Sequence, residues 1–162
     1  QEHGADLAFE YDRKEAKTHG EASREKGLFV NQSLFDGCRI FVVDDVATSM
    51  GTKYELLEKL ENQMRLKGMA YRVVGIGIGV DREQTTAVYD QKGKVIPGRK
   101  GENAIQGFVK NSGVRVYSVA GIREVVEFLF EEKTPVMIRG SHVPMGSKTK
   151  QAFDHYLKTY GI

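Results

Sequence analysis

The 162 residues carry 24 Lys and Arg against 22 Asp and Glu, a net charge of +2, too near balance for the broad positive field of a protein that grips nucleic acid. With 40% hydrophobic and 28% charged residues, including 8 Phe and 7 Tyr, the chain can bury a core of ordinary single-domain size, which excludes a disordered segment. One cysteine, Cys38, leaves no intramolecular disulfide, and no apolar run approaches the roughly 18 residues of a membrane helix. A soluble cytoplasmic chain is expected, and the opening Gln1-Glu2-His3, without Met, reads as a fragment or a processed product.

In chain order, residues 5–11 (ADLAFEY) read as a short strand, and 12–27 (DRKEAKTHGEASREKG) as a mobile loop, because charged and small residues alternate there without an apolar period. Arg39 to Asp44 (RIFVVD) is a buried strand ending on two carboxylates. Thr52 to Lys67 is a helix with Leu56, Leu57, Leu60 and Met64 as its apolar stripe, a Thr52-x-x-Glu55 capping box at its start and Gly68 at its end. Ala70 to Val80 is a strand with Val74, Ile76, Ile78 and Val80 on one face. Val73, Gly75, Gly77 and Gly79 lie on the other, where a helix backbone has room to approach.

Residues 86–96 form a hairpin around Lys92-Gly93, followed by a basic turn, PGRKG. Glu102 to Asn111 is helical, Val114 to Ser118 a strand, and Ile122, Val125, Val126, Leu129 and Phe130 mark another helix. Residues 134–147, with Pro135 and Pro144, read as irregular, and Lys148 to Thr159 as a final helix. Strands alternating with helices give an α/β fold with a mainly parallel sheet flanked by helices.

In open parallel sheets ligands bind beyond the carboxyl ends of strands, where Asp44-Asp45-Val46-Ala47-Thr48-Ser49-Met50-Gly51-Thr52 falls. Adjacent carboxylates repel and stay ionised beside a buried strand only with hydroxyl, cation or water partners. A ribose supplies such hydroxyls, and the Thr, Ser and Gly residues that follow present backbone N–H groups at a helix start, a ready phosphate site. On the residues alone, the same stretch also suits a solvated loop followed by a helix cap. Gly75-Ile76-Gly77-Ile78-Gly79 lacks the spacing of a dinucleotide loop and reads as close packing. Cys38 reads as a small core residue, and His3, His142 and His155 show no metal-ligand spacing.

The run from Arg39 to Thr52 resembles the phosphoribosyl pyrophosphate motif of type I phosphoribosyltransferases. Tyr11-Asp12-Arg13-Lys14-Glu15-Ala16-Lys17-Thr18-His19-Gly20-Glu21 resembles the flexible catalytic loop of the orotate phosphoribosyltransferases, and the two motifs occur in that family's order. The likeness continues through Asp81-Arg82, Gly101 to Gln106, and Tyr160-Gly161-Ile162. It implies a type I phosphoribosyltransferase (Rossmann-like) core domain over 1–162, with a mobile loop at 12–27 and a basic hairpin insertion at 85–101.

The implied activity moves ribose 5-phosphate from phosphoribosyl pyrophosphate to orotate, giving orotidine 5′-monophosphate for pyrimidine synthesis and releasing pyrophosphate, with Mg²⁺ bound mainly through substrate. By the resemblance, Lys17, Asp44 and Asp45 are the catalytic residues: Lys17 meets charge growing on pyrophosphate, and the acids hold the ribose hydroxyls. Arg13, Lys14, Lys17 and His19 match positions that hold pyrophosphate, and Thr48, Ser49, Met50, Gly51 and Thr52 match the 5′-phosphate cradle. Arg82, Thr85 and Thr48 are the base-side candidates, and no protein side chain is assigned as a metal ligand. A homodimer is implied, with loop 12–27 reaching the neighbouring subunit's site, and with no nucleic acid or membrane as partner.

Three departures qualify the match. Met50 stands where the family has a small residue, often glycine, in a turn that favours positive φ. Thr85 stands where orotate enzymes carry a base-recognising arginine, leaving Arg82, Arg99 or Lys100 as replacement cations, although the hairpin charges Lys92, Lys94, Arg99 and Lys100 also suit a plain exposed surface. Nothing before Ala5 corresponds to the family's N-terminal hood and first core strand, so the chain is expected to be N-terminally incomplete. These departures keep open a non-catalytic regulatory module that binds nucleotide or phosphoribosyl pyrophosphate, and transfer to a different base.

Overall fold

The computed structural model describes residues 7–12, 29–138 and 140–162. Its elements are β1 (Cys38–Ala47), α1 (Gly51–Leu66), β2 (Tyr71–Asp81), β3 (Thr85–Tyr89), β4 (Val95–Asn103), α2 (Ala104–Ser112), β5 (Val116–Gly121), α3 (Ile122–Glu131), β6 (Pro135–Ile138), β7 (Ser141–Pro144) and α4 (Ser147–Tyr160). They fall into two compact units, one within Gln1–Ile40 and Thr52–Arg72, the other comprising Phe41–Gly51 and Val73–Ile162.

In the first unit, residues 7–11 form no strand, contrary to the alternation of their sequence. The Glu10 carboxylate takes over their local hydrogen bonding: it accepts from the backbone N–H groups of Asn31 at 2.6 Å, Ser33 at 2.9 Å and Tyr11 at 3.0 Å. The Asn31 amide and the Ser33 hydroxyl both donate to the Phe9 carbonyl at 3.0 Å, and the Val30 N–H donates to the Tyr11 carbonyl at 3.0 Å. A charged acceptor that collects several donors at once competes well with strand pairing. Of the expected mobile loop at 12–27, only Asp12 is among the described residues; its carboxylate accepts from Lys59 Nζ at 2.9 Å. Helix α1 buries Leu60 and Met64 of its apolar stripe, and Gly68, at φ +63°, lets the chain turn so that the Met69 N–H returns to the Met64 carbonyl at 2.9 Å.

The second unit holds a three-stranded sheet in the order β1-β2-β5, with β2 and β5 parallel from Ile76 opposite Val116 to Asp81 opposite Gly121. Ile76 and Ile78 are buried on one face. On the other face, a Cβ built on Gly75 or Gly77 meets the Phe41 ring at 3.0 Å, and one on Gly75 also meets the Tyr117 ring at 3.0 Å. Those two rings stack with centroids 6.4 Å apart. The glycines therefore make room for aromatic side chains of the flanking strands, and the helix backbone expected opposite them is a correction.

Between β2 and β5 the chain inserts the antiparallel β3–β4 hairpin and α2. The Asp90 carboxylate closes the hairpin turn by accepting from the N–H groups of Lys92 at 2.8 Å and Lys94 at 2.9 Å. The PGRKG stretch lies inside β4 and is not a turn; register shifts between Thr85 and Tyr89 absorb its irregular backbone. Helix α2 starts at Ala104, later than expected, because Asn103 caps it by accepting from the Gln106 N–H at 3.0 Å. Residues 134–147 are also corrected: they hold the β6–β7 hairpin, with Pro135 opposite Pro144 at its open end. In a two-stranded ribbon these prolines need no N–H in a ladder.

Burial alone raises the Glu10 carboxyl, yet the hydrogen bonds from Asn31, Ser33 and Tyr11 outweigh it and hold the group below its ordinary 4.5. A carboxyl depressed on folding contributes stability above its unfolded pKa, which is lost as pH falls through the folded value. Glu10→Gln is therefore expected to melt below the unsubstituted protein at pH 7, with the gap closing as pH drops beneath 4.5. Thermal unfolding across pH 3 to 7 checks this, and a gap independent of pH would assign the effect to shape alone.

Candidate functional site

Strand β1 runs past the acid pair to Ala47, so Asp44 and Asp45 are its last polar residues and alternate to opposite sides of the strand. Asp44 is half-buried and Asp45 exposed, and the Asp45 N–H donates to Asp44 Oδ1 at 2.9 Å. Thr48, Ser49 and Met50 form the bend that follows, and α1 opens at Gly51. Thr52 thus lies inside the first helical turn and does not cap it as expected; its hydroxyl accepts from Lys53 Nζ at 3.3 Å. Lys53 is buried and was not singled out from the sequence. The signal for it was a cation at the positive end of a helix dipole, where lysine is ordinarily disfavoured.

Two backbone contacts fix this turn to β2 and to the residues after it. A Cβ on Gly79 would lie 2.8 Å from the Asp45 carbonyl oxygen, a distance that only glycine permits. The Arg82 N–H donates to the Ala47 carbonyl at 3.1 Å, tying the segment after β2 to the turn that carries the acids. Met50 occupies φ +63° and is 1% exposed, so the positive-φ turn is present and is made with a buried side chain where glycine was expected.

At the end of β2, burial lifts the Asp81 carboxyl; the Glu83 N–H bond at 2.7 Å pulls it down and the Glu83 charge pushes it up, leaving it above its ordinary value. Arg82 is half-buried, with Nη2 donating to the Tyr156 hydroxyl at 2.8 Å. The Thr85 hydroxyl is directed to the Tyr160 carbonyl at 3.2 Å. Lys92, Lys94, Arg99 and Lys100 are all exposed on the hairpin. The structure thus gathers Asp44, Asp45, Thr48, Ser49, Met50 and Gly51 in one turn, joins Arg82 to it through Ala47, and engages Thr85 with α4. Arg13, Lys14, Lys17 and His19 lie outside the described residues. Among the described residues no three His, Cys, Asp or Glu side chains converge as a metal site.

No family model matches the chain. Curated relatives do: it is 27% identical over 159 residues to the orotate phosphoribosyltransferase of Bifidobacterium adolescentis and 29% identical over 160 residues to that of Clostridium acetobutylicum, covering 98% and 99% of the chain. The chain is similar in sequence to these orotate phosphoribosyltransferases. It spans 58% and 60% of the length of these two relatives. Among solved structures, the orotate phosphoribosyltransferase of Francisella tularensis superposes with a TM-score of 0.54 at 15% identity, over 99% of this chain and 59% of that one. The UMP synthase of Leishmania donovani gives 0.56 at 19% identity, over 91% of this chain and 23% of that one. The fold is accordingly the type I phosphoribosyltransferase fold, α/β with a parallel sheet flanked by helices. No helix among the described residues is long and apolar enough to cross a membrane.

Gly79→Ala is expected to cost about 1–3 kcal/mol, because a backbone oxygen cannot yield as a side-chain tip does. Denaturant unfolding measures that loss, and faster amide exchange at Val46 and Ala47 would place it at the acid turn. Met50→Gly relieves about 1–2 kcal/mol of left-handed strain. It also forfeits roughly 1.5–3 kcal/mol of Met burial and adds about 0.5–1 kcal/mol of chain entropy. The expected outcome is a net loss of about 1–2 kcal/mol; a gain in stability would show that the strained backbone dominates.

Proposed function

We propose that the protein carrying this chain transfers ribose 5-phosphate from phosphoribosyl pyrophosphate to orotate. The observation that carries the reading is an acid pair at a strand end, followed by a Thr/Ser/Gly turn into a helix, in a chain similar over 98% of its length to orotate phosphoribosyltransferases. In the reaction the bond from the ribose anomeric carbon to pyrophosphate breaks, and a bond from that carbon to a base nitrogen forms as the nitrogen gives up its proton. Positive charge develops on the sugar ring and negative charge on the leaving pyrophosphate.

Asp44 and Asp45 hold the ribose hydroxyls and stabilise the cationic ring. Thr48, Ser49, Met50, Gly51 and Thr52 hold the 5′-phosphate through hydroxyls and backbone N–H groups at the start of α1. Lys17, with Arg13, Lys14 and His19, meets the charge on pyrophosphate. The hard oxygen donors of this turn suit Mg²⁺, which the protein would hold mainly through substrate oxygens and water. A cytoplasmic homodimer, in which loop 12–27 serves the neighbouring site, completes the reading.

A second reading is favoured by Met50 in the phosphate turn and by Thr85 engaged with α4: a module that binds phosphoribosyl pyrophosphate or a nucleotide without catalysis. Pyrophosphate release by the natural full-length protein with both substrates separates the two. Turnover is expected, falling by roughly 100-fold or more in Lys17→Ala. Tight calorimetric binding of phosphoribosyl pyrophosphate without turnover would establish the binding module, and turnover unchanged by Lys17→Ala would remove the assigned mechanism.

A further inference from the structure

Helix α3 turns Val126 into the core and leaves its opposite face uncovered. Phe128 is 58% exposed in the middle of that face. Glu124, Glu131 and Glu132 stand three or four residues from it and Glu127 beside it, and all four carboxylates are exposed. The helix's own arginine, Arg123, is turned away to Glu83 and to the Ile162 carbonyl. Among the described residues no cation pairs with any of the four glutamates. Like charges at this spacing repel, and Glu131 and Glu132 also stand at the carboxyl end of the helix, where its dipole disfavours negative charge.

The β3–β4 hairpin is the converse of this face. Tyr89 and Val95 lie opposite one another in its ladder, 60% and 54% exposed, and residues paired in this way project to the same side. Lys92 and Lys94 at the turn and Arg99 and Lys100 on β4 are exposed, and among the described residues none of them meets a carboxylate. The acid of the turn, Asp90, is already engaged by the backbone N–H groups of Lys92 and Lys94. An apolar pair flanked by four cations is thus carried on the same compact unit as an aromatic ring flanked by four carboxylates. Each charge set lacks within the chain the partner that the other would supply.

We infer that the hairpin docks on the α3 face of a second copy of this chain, with Tyr89 and Val95 packed on Phe128 and the hairpin cations facing Glu124, Glu127, Glu131 and Glu132. The apolar centre supplies affinity by excluding water, and the charges around it steer the approach and fix the register. One hairpin on one helix buries too little for a stable complex, which takes roughly 1,200 Å² in total. A two-fold arrangement makes the contact twice, because each copy offers both surfaces. Neither surface includes a residue assigned above to substrate, so the inference does not rest on the phosphoribosyltransfer reading or on the dimer contact assigned to loop 12–27.

Sedimentation of the natural full-length protein tests this with three charge variants. The first carries Lys92→Glu, Lys94→Glu, Arg99→Glu and Lys100→Glu; the second carries Glu124→Lys, Glu127→Lys, Glu131→Lys and Glu132→Lys; the third combines both sets. Self-association of the unsubstituted protein is expected to weaken as salt rises, and each of the first two variants to weaken it about tenfold or more at low salt. The third again sets unlike charges across the contact and is expected to associate within about threefold of the unsubstituted protein. An equimolar mixture of the first two should recover in the same way, since each contact between them then joins unlike charges. Where a fourfold variant shows no melting transition, Arg99→Glu, Glu131→Lys and their combination carry the same comparison. A protein that does not self-associate, a first or second variant that associates as tightly as the unsubstituted protein, or a third variant or mixture that gives no recovery would each overturn the inference.

Discussion

The close approach of Gly79 to the Asp45 carbonyl is the constraint on which the candidate site depends. Where β1 leaves the sheet, its backbone passes so near β2 that no side chain fits between them. The bond from the Arg82 N–H to the Ala47 carbonyl repeats the attachment beyond Asp81, the last residue of β2. The acid pair and the bend after it are therefore placed by main-chain contacts. Met50 adds to this placement, because its buried side chain anchors a bend whose φ of +63° would otherwise be maintained by glycine.

From this anchored turn the structure continues outward through one short segment. Residues 81–85 touch the acid turn through Arg82 and meet α3 through the bonds between Glu83 and Arg123, and α4 through Tyr156 and Tyr160. Glu83 takes φ +51° to make these opposite contacts possible. A left-handed backbone at a non-glycine residue persists only where its surroundings over-determine it, and here bonds at its N–H, carbonyl and carboxylate do so. The segment is thereby bonded at once to the acid turn, to α3 and to α4.

Much of this was legible in the sequence where one physical signal acted alone. The i, i+3, i+4 stripes of α1 and α3 and the acid pair before a Thr/Ser/Gly turn each point to one local structure, and the structure follows them; the apolar run of β1 is a strand as expected but not the buried one expected, since Phe41 and Val43 are exposed and its other residues between Cys38 and Ala47 are exposed or half-buried. Legibility failed where a partner distant in sequence decides the outcome. Residues 7–11 have a strand's alternation but spend their hydrogen bonds around the Glu10 carboxylate, which reaches Asn31 and Ser33. Pro135 and Pro144 look like breakers until they are placed opposite one another in a ribbon that asks nothing of their nitrogens. The Gly75, Gly77 and Gly79 stripe announced a close approach correctly without naming what approaches: aromatic rings at the first two and a carbonyl at the third.

The cations sort in the same way. Counting charge along the chain draws attention to the hairpin, where Lys92, Lys94, Arg99 and Lys100 lie close together, but all four are exposed and act through water and salt. Arg82 has no cluster around it in the sequence, yet it is half-buried, held by a neutral phenol and bonded through its own N–H to the acid turn. The energy of a charge rises as its surroundings dry and its geometry is fixed in advance, so one oriented guanidinium outweighs four solvated ones. Density of charge is visible in a sequence, whereas the neutrality of a partner is not. For that reason Arg82, named from the sequence beside Arg99 and Lys100 as a candidate cation, is set apart from them only by its burial and by the Tyr156 hydroxyl that α4 brings to it.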